Sequence, residues 1–254
     1  MVSLPHPIQY QGSKRKLASD ILRFLPKKIE RLVEPFAGTA AISLAAAARE
    51  ICQSFWINDL NNPLIELLEL IIENPDNIAD FYTEIWQDRE DNSVDYYYQV
   101  RDNFNKTKDP KLFLYLLARC VKGSVRYNNQ GEFNQSPDKR RKGTNPNKMR
   151  ENIKGVSRLL HGKCIFTSLD YRQVLYELKN TDFVYLDPPY QGVCGNNDSR
   201  YYSGICFDTL VLELEELNRK GIAFAISYDG KRGSKTFGDE LPKELGLKKI
   251  EKTV

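Results

Sequence analysis

Short apolar segments alternate with helix-forming segments in the first and last parts of the chain. Strands are predicted at residues 32–33, 54–57, 164–166, 183–186 and 222–226. Helices are predicted at residues 40–48, 63–73, 171–178 and 209–219. This alternation is typical of an α/β domain with a mainly parallel sheet. We therefore expect an α/β fold, and the length of 254 residues allows one sizeable domain, with or without an insertion.

The middle of the chain, residues 74–160, interrupts this alternation. It is rich in Asp, Asn, Tyr, Lys and Arg, with helices predicted at about 78–86, 95–104 and 110–121 and an irregular polar segment at 126–148. Basic residues outnumber acidic ones between residues 119 and 158, a local charge that would attract a phosphate backbone. A solvated loop would give the same composition. We predict an insertion at 74–160 in a main domain made of 1–73 and 161–254.

The composition excludes several kinds of site. Five scattered cysteines form no C-x-x-C pair, so neither a disulfide framework nor a zinc site is predicted. Because the sequence has only two histidines, a histidine-rich metal centre and a Ser-His-Asp triad are both unfavoured. We expect no metal. No apolar run is long enough to cross a bilayer, and the N-terminus lacks the apolar core of a signal peptide. We expect a cytoplasmic protein with no membrane partner.

A turn with the sequence E-P-F-A-G-T, residues 34–39, follows the first predicted strand. Ligands of parallel sheets bind beyond the carboxyl ends of the strands, and Gly38 can adopt positive φ and leave space for one. Asp59 closes the next strand, where its carboxylate can accept hydrogen bonds from both hydroxyls of a ribose. The turn at 34–39 and Asp59 together indicate an adenosine-containing ligand. The turn has neither the sequence of a phosphate loop nor that of a dinucleotide-binding motif. An ordinary tight turn with a helix-capping aspartate is the alternative.

The strand at 183–186 runs directly into Asp187, Pro188, Pro189 and Tyr190. Consecutive prolines fix φ and remove two backbone donors. The Asp187 carboxylate and the Pro188 carbonyl can then accept both N–H groups of one exocyclic amine, while Tyr190 offers a ring for stacking. Such acceptors favour the charge that develops on nitrogen when it takes a methyl group from a sulfonium donor. A purely structural proline turn is the alternative.

These motifs resemble those of the Dam-type DNA adenine methylases, the α group of amino-methyltransferases, over nearly the whole chain. Residues 9–14 (Q-Y-Q-G-S-K) are similar to the family's N-terminal cofactor motif, and residues 33–38 to the motif around the methionine part of the cofactor. The resemblance implies a Rossmann-like sheet that binds S-adenosyl-L-methionine. The cofactor contacts it implies are Tyr10, Lys14, Glu34, Pro35, Phe36, Gly38, Thr39, Asp59, Asp170 and Asp187. Among these, Asp170 matches the family pattern only loosely.

Residues 126–134 (R-Y-N-N-Q-G-E-F-N) resemble the family's R-Y-N-x-x-G-x-F-N segment. The resemblance implies that 74–160 is a mostly helical target-recognition domain on double-stranded DNA, in which basic residues position the enzyme on phosphates. The DNA contacts it implies are Arg126, Tyr127, Asn128, Asn134, Lys139, Arg140, Arg141 and Lys142. It also implies that a monomer methylates the N6 amino group of an adenine extruded from the duplex.

Two departures from the family pattern accompany the resemblance. Ala40 stands where a second glycine is usual, and the sequence ends at Val254, before the last strand of the family's terminal β-hairpin, which we therefore expect to be incomplete.

Two alternative functions stay open. Cytosine N4 methylation uses the same geometry, although serine more often opens the tetrapeptide there, and a catalytically inert DNA-binding relative would keep the fold without the reaction.

Overall fold

A parallel β-sheet forms the centre of the computed structural model, which describes residues 4–88, 94–189, 205–228, 231–232, 235–236 and 239–251. Its strands are β1 (Arg31–Glu34), β2 (Phe55–Asn58), β3 (Cys164–Thr167), β4 (Asp182–Leu186) and β5 (Ala223–Ile226). They lie in the order β3-β2-β1-β4-β5, and every pairing is parallel. The predicted α/β class is confirmed.

The strand order reverses beside β1, which pairs with β2 on one side and with β4 on the other. In the register, Leu32 lies opposite both Phe55 and Phe183. Connections leave such neighbouring strands in opposite directions, so a crevice opens outside their carboxyl ends, where ligands of these sheets bind. Both sequence motifs singled out above, the turn after β1 and the prolines after β4, are placed at this crevice.

In the described residues, α-helices lie before the sheet, after each of β1, β2, β3 and β4, and in the middle segment; those after the strands were expected from the alternation. They are α1 (Ala18–Ile21), α2 (Ala41–Ala48), α3 (Asn62–Glu73), α4 (Pro75–Gln87), α5 (Val94–Thr107), α6 (Pro110–Arg119), α7 (Pro146–Leu160), α8 (Tyr171–Tyr176) and α9 (Phe207–Lys220). The Asp109 side chain accepts a hydrogen bond from the Lys111 N–H and so caps α6, and Gly221, at φ 67°, ends α9. The short strands β6 (Lys231–Arg232) and β7 (Lys235–Thr236) form an antiparallel pair.

The helix α7 was not predicted, and the interpretation of residues 126–148 as wholly irregular is wrong at its end. Asn145 caps the helix by accepting a hydrogen bond from the Asn147 N–H, and proline occupies the first turn. Its buried face carries apolar residues at helical spacing: Met149, Ile153, Val156 and Leu160. This face packs against α2, α3 and α4. The signal was present in the sequence, but the surrounding polar residues obscured it.

One continuous hydrophobic cluster joins the sheet to the helices of the middle segment. It includes Leu32 and Phe55 of the sheet together with Phe104, Phe113 and Phe133 of the middle segment. The boundaries proposed for the insertion, 74 and 160, therefore do not coincide with a gap in the core, and the division into domains stays a prediction. In the part of the chain that the structure describes, every helix is too short or too polar to span a bilayer.

Candidate active site

A cavity of about 320 Å³ opens at the crevice, a size within the range of small-molecule sites. Its walls come from the N-terminal segment, the ends of β1, β2, β3 and β4, and the start of α9. All ten residues predicted to contact the cofactor line it, namely Tyr10, Lys14, Glu34, Pro35, Phe36, Gly38, Thr39, Asp59, Asp170 and Asp187. Pro188 and Pro189 line it as well. Motifs more than a hundred residues apart in sequence thus meet in one space.

The turn after β1 has the left-handed backbone that its glycine allows. Gly38 has a φ of 52°, and its N–H donates to the Asp59 carboxylate at 2.9 Å. The neighbouring N-terminal segment is attached to the same turn by a hydrogen bond of 2.9 Å between the Ser13 and Thr39 hydroxyls. Ala40 adopts φ 51° and ψ 40° at the start of α2, a conformation that favours glycine, so the departure noted in the sequence falls on a strained position.

Asp59 is held by two backbone groups. One oxygen accepts the Gly38 N–H and the other accepts the Asn61 N–H at 3.0 Å. Burial raises the pKa of Asp59, and these two N–H groups act in the opposite direction. Because each carboxylate oxygen has a second lone pair, the group can still accept two hydrogen bonds from a ligand in the cavity. A ribose diol needs two such acceptors, and the contact of Asp59 with a ribose stays a prediction.

Glu34 lies at the cavity wall but its carboxyl is engaged with α2. The side chain is 2% exposed, and Oε1 accepts hydrogen bonds from the Ser43 N–H at 2.8 Å and the Ser43 hydroxyl at 2.5 Å. Burial raises the pKa of Glu34 to about 7. The carboxyl therefore also fastens the end of β1 to the helix that follows it.

Asp187 forms an ion pair with Lys14 across the cavity. The Lys14 ammonium lies 2.6 Å from Asp187 Oδ1 and donates a hydrogen bond of 2.7 Å to Oδ2, and both side chains are largely buried. A carboxylate this far from water needs a cationic or donor partner. Tyr190, the last residue of the tetrapeptide, lies outside the described residues, so its stacking role stays a prediction.

Asp170 has a structural role at the rim of the cavity. It caps α8 in a capping box with Gln173 and accepts two hydrogen bonds from the guanidinium of Arg172, the nearer at 2.8 Å. The Arg172 guanidinium beside it lowers the pKa of Asp170. The carboxylate faces these groups, and a contact with the cofactor's adenine stays a prediction.

The segment 126–134 is an ordered hairpin and not the irregular loop that its composition suggests. Tyr127 and Phe133 pair as an antiparallel bridge, and the Asn134 N–H donates to the Arg126 carbonyl. The Asn128 side chain accepts the N–H groups of Gln130 and Glu132 and so closes the turn. Outside the hairpin, the Asn105 side chain pairs with the backbone N–H and carbonyl of Phe133, so the hairpin is held by its own backbone, by Asn128 and by α5.

The residues predicted to contact DNA divide into two groups. The exposed ones are Arg126, Asn134, Lys139, Arg140, Arg141 and Lys142. Tyr127 is 7% exposed and turns inward, where it lines the cavity and donates its hydroxyl to Asn61 Oδ1 at 3.0 Å. Asn128 is half-buried and holds the hairpin turn. The outer surface available to a phosphate backbone is therefore carried by the first group.

Asn58 and Asn61 contribute to the site although the sequence did not single them out. Asn61 connects Asp59 to Tyr127 through its N–H and its side chain. Asn58 is fully buried behind the cavity. Their position beside Asp59 at a strand end was the available signal. Within the described ranges, no group of three or more His, Cys, Asp or Glu side chains could hold a metal ion.

Known proteins resemble this chain over most of its length. A profile of the family described as "D12 class N6 adenine-specific DNA methyltransferase" matches residues 10–254. Type II methyltransferase M1.LlaDCHI of Lactococcus lactis subsp. cremoris is 28% identical over 260 residues, 96% of this chain and 87% of that protein. Type II methyltransferase M.MjaIII of Methanocaldococcus jannaschii is 29% identical over 79% of this chain and 73% of its own. DNA adenine methylase of Escherichia coli strain K12 is 31% identical over 72% and 64% respectively.

Proposed function

The chain belongs to the D12 class N6 adenine-specific DNA methyltransferase family, and from this premise we propose which residues perform each part of the reaction. Membership makes it an enzyme that methylates the N6 amino group of adenine in DNA, and it implies S-adenosyl-L-methionine as the methyl donor. We assign the cofactor and the target base to the single cavity at the carboxyl ends of β1 and β4. The observation that carries this assignment is the convergence of Asp59, Gly38 and Asp187 on that cavity.

The residues present fit the cofactor. Asp59 keeps two lone pairs for a ribose diol, and the left-handed turn at Gly38 lets a ligand approach the backbone. Tyr10 and Phe36 supply apolar surface at the same walls. When bound, S-adenosyl-L-methionine supplies a methyl group on a positively charged sulfur. The protein's part is to bind the donor, exclude water and present the amine that accepts the methyl group.

Asp187 and the Pro188 carbonyl would hold the adenine amine in position to accept the methyl group. A planar adenine amine has two N–H donors, and two acceptors at the diproline turn match them. Transfer would form the N6–methyl bond as the methyl–sulfur bond breaks, and N6 would then lose one proton to water. The negative Asp187 carboxylate would stabilise the positive charge that develops on N6 more in the transition state than in the ground state. Tyr190 would stack on the base. Lys14, which pairs with Asp187 here, must share this carboxylate or yield it to the entering amine.

Double-stranded DNA is the proposed substrate form. An adenine inside a duplex cannot reach a cavity at a sheet edge, so the base must be extruded, at a cost of a few kcal/mol that contacts in the cavity offset. The hairpin at 126–134 adjoins the cavity, and the exposed residues Lys139 and Lys142 follow it in sequence. We assign this side of the molecule to the phosphate backbone.

The direct test is the substitution Asp187→Asn, which keeps the side-chain volume but removes the charge. We expect the transfer of tritiated methyl groups to DNA to fall about 10²–10³-fold, the usual loss for a group that stabilises transition-state charge. Calorimetric titration should show that S-adenosyl-L-methionine still binds. Glu216→Gln removes one carboxylate from the exposed face of α9 and should leave the rate unchanged.

Product analysis completes the test. Digestion of methylated DNA to nucleosides should yield N6-methyladenine. Transfer at the wild-type rate by Asp187→Asn would contradict the assignment of Asp187, whereas N4-methylcytosine as the product would contradict the choice of base. Failure of the wild-type protein to bind the cofactor would favour an inert relative.

A further inference from the structure

Asn58 is a fully buried polar side chain at the carboxyl end of β2. It lies between the turn after β1 and the loop after β3, which form two separate walls of the cavity. Asp59, the next residue, faces the cavity itself. A buried amide is costly unless its hydrogen-bonding groups are satisfied, so its partners show what it does.

Every hydrogen-bonding group of the Asn58 amide has a partner. Its Nδ2 donates to the Pro35 carbonyl at 2.9 Å and to the Leu169 carbonyl at 3.0 Å. Its Oδ1 accepts the Leu169 N–H at 2.9 Å and the Thr167 hydroxyl at 2.8 Å. An asparagine side chain has two donors and two acceptor lone pairs, so all four are used.

These bonds join two loops that share no strand pairing. Pro35 belongs to the turn after β1, and Leu169 precedes Asp170 in the loop after β3; β1 and β3 are separated by β2 in the sheet. The Asn58 backbone adds a further connection, because its carbonyl accepts the Ala37 N–H at 2.8 Å. Asn58 therefore connects the two walls of the cavity through its side chain and its backbone.

We propose that Asn58 is a positioning residue for cofactor binding: its amide holds the β1 turn and the β3 loop at the spacing that S-adenosyl-L-methionine requires. The inference rests on the proposed function, which places the cofactor between these walls. Asn58 does not act on the target base, whose partners Asp187 and Pro188 follow a different strand. The residue should thus affect the affinity for the cofactor and not the methyl-transfer step.

The substitution Asn58→Asp tests this with a side chain of the same shape. It removes both donors and places a carboxylate oxygen against the carbonyls of Pro35 and Leu169, which should push the walls apart. We expect the Kd and the KM for S-adenosyl-L-methionine to rise at least ten-fold. At saturating cofactor kcat should stay within about three-fold of the wild type, and the Kd for duplex DNA within two-fold.

Thr167→Val is the matched control for a loss of stability alone. It deletes the hydroxyl that donates to Asn58 and accepts the Trp56 indole N–H at 2.8 Å, yet it leaves both Asn58 donors on the cavity walls. We expect a lower Tm with little change in the Kd for the cofactor. If Asn58→Asp does not unfold cooperatively, Asn58→Ser is used in its place, because it removes the amide without adding charge. We then expect the Kd for S-adenosyl-L-methionine to rise at least five-fold.

The outcomes separate this inference from the proposed function. A wild-type protein that fails to bind S-adenosyl-L-methionine overturns the proposed function itself. A wild-type protein that binds it, with Asn58 variants that bind equally well, overturns the role of Asn58 alone. A fall in kcat at saturating cofactor with an unchanged KM would also overturn it, since that result places Asn58 in the transfer step.

Discussion

Two carboxyl groups at neighbouring strand ends, Glu34 and Asp187, are stabilised in different ways. Asp187 keeps a cation beside it, the ammonium of Lys14. Glu34 is buried and receives hydrogen bonds from Ser43, and the proximity of Asp187 adds to the burial that raises its pKa. The protein can therefore hold Asp187 ready to accept hydrogen bonds from an amine, while Glu34 changes its charge near neutral pH.

This difference predicts how stability depends on pH. Burial raises the pKa of Glu34 from 4.5 to about 7, so within this window the folded protein keeps a proton that the unfolded chain releases. The free energy of unfolding should decrease as the pH rises through the window, by about 3 kcal/mol from this group, and level off above it. Glu34→Gln keeps an acceptor for Ser43 and has no such proton.

Urea unfolding of both proteins between pH 4.5 and 8 measures the effect. The wild type should lose stability relative to Glu34→Gln as the pH rises from 4.5 to 7, and titrating groups that do not interact with Glu34 cancel in the comparison. Parallel curves for the two proteins would show that the Glu34 pKa is not raised by folding.

The hairpin at 126–134 connects the middle segment to the cavity through Tyr127. Its Tyr127 hydroxyl donates to the Asn61 side chain, and the Asn61 N–H supports Asp59. A contact at the hairpin can thus alter the carboxylate proposed to bind the ribose. Because Asn61 is 5% exposed, loss of the hydroxyl would leave a buried oxygen with one partner fewer.

Tyr127→Phe should therefore weaken cofactor binding as well as stability. We expect a loss of about 1 kcal/mol in the free energy of unfolding and a roughly five-fold rise in the Kd for S-adenosyl-L-methionine. Tyr97→Phe is the control, since its buried hydroxyl donates to the Gln135 carbonyl at 3.0 Å away from the cavity. It should lose similar stability and bind the cofactor normally. An equal Kd for both variants, measured by calorimetry, would refute the connection.

The elements differ in how well the sequence predicts them. The ends of β1 and β4 were predictable because an apolar run stops at an acidic residue or at prolines, which are local signals. The helix α7 was missed because its four apolar residues lie among charged ones. The hairpin was missed because its stability depends on the pairing of Tyr127 with Phe133 and on the Asn128 side chain.

Contacts between distant residues mark the limit of that prediction. The sequence suggested that Lys14 and Asp187 belong to one site, but their ion pair joins residues 173 positions apart and depends on the order of the strands. The same applies to Asn58, whose partners lie 23 and 111 positions away. Residue types indicate which groups can bind a ligand, whereas the tertiary fold decides which of them meet.

At the scale of the whole molecule, the proposed function places DNA on the side of the sheet where the strands end. The cavity lies at the carboxyl ends of the strands, and exposed basic residues follow the hairpin whose Tyr127 lines it. Part of that positive charge is offset within the protein, since Arg140 and Arg141 lie 3.5 and 3.4 Å from Asp138 carboxylate oxygens. Lys139 and Lys142, which flank this pair, are exposed as well and are also candidates for phosphate contacts.

A double substitution of these lysines predicts a change in the salt dependence of DNA binding. Each phosphate contact releases counterions and contributes about 0.9 to the slope of log K against log salt concentration. Lys139→Gln with Lys142→Gln should therefore lower the slope by about 1.8 and weaken binding to all duplex sequences alike. Fluorescence anisotropy with a labelled duplex at several salt concentrations measures it.

The control for net charge uses two lysines at the amino ends of the strands. Lys27 and Lys28 are exposed and precede β1, at the amino ends of the strands and away from the cavity. Their replacement by glutamine lowers the formal charge from +3 to +1, as the first pair does, because each variant loses two lysines. If binding depended on the total charge, both variants would have the same reduced slope. If DNA lies across the carboxyl ends of the strands, as the role proposed for the turn after β4 predicts, only the first variant will differ from the wild type.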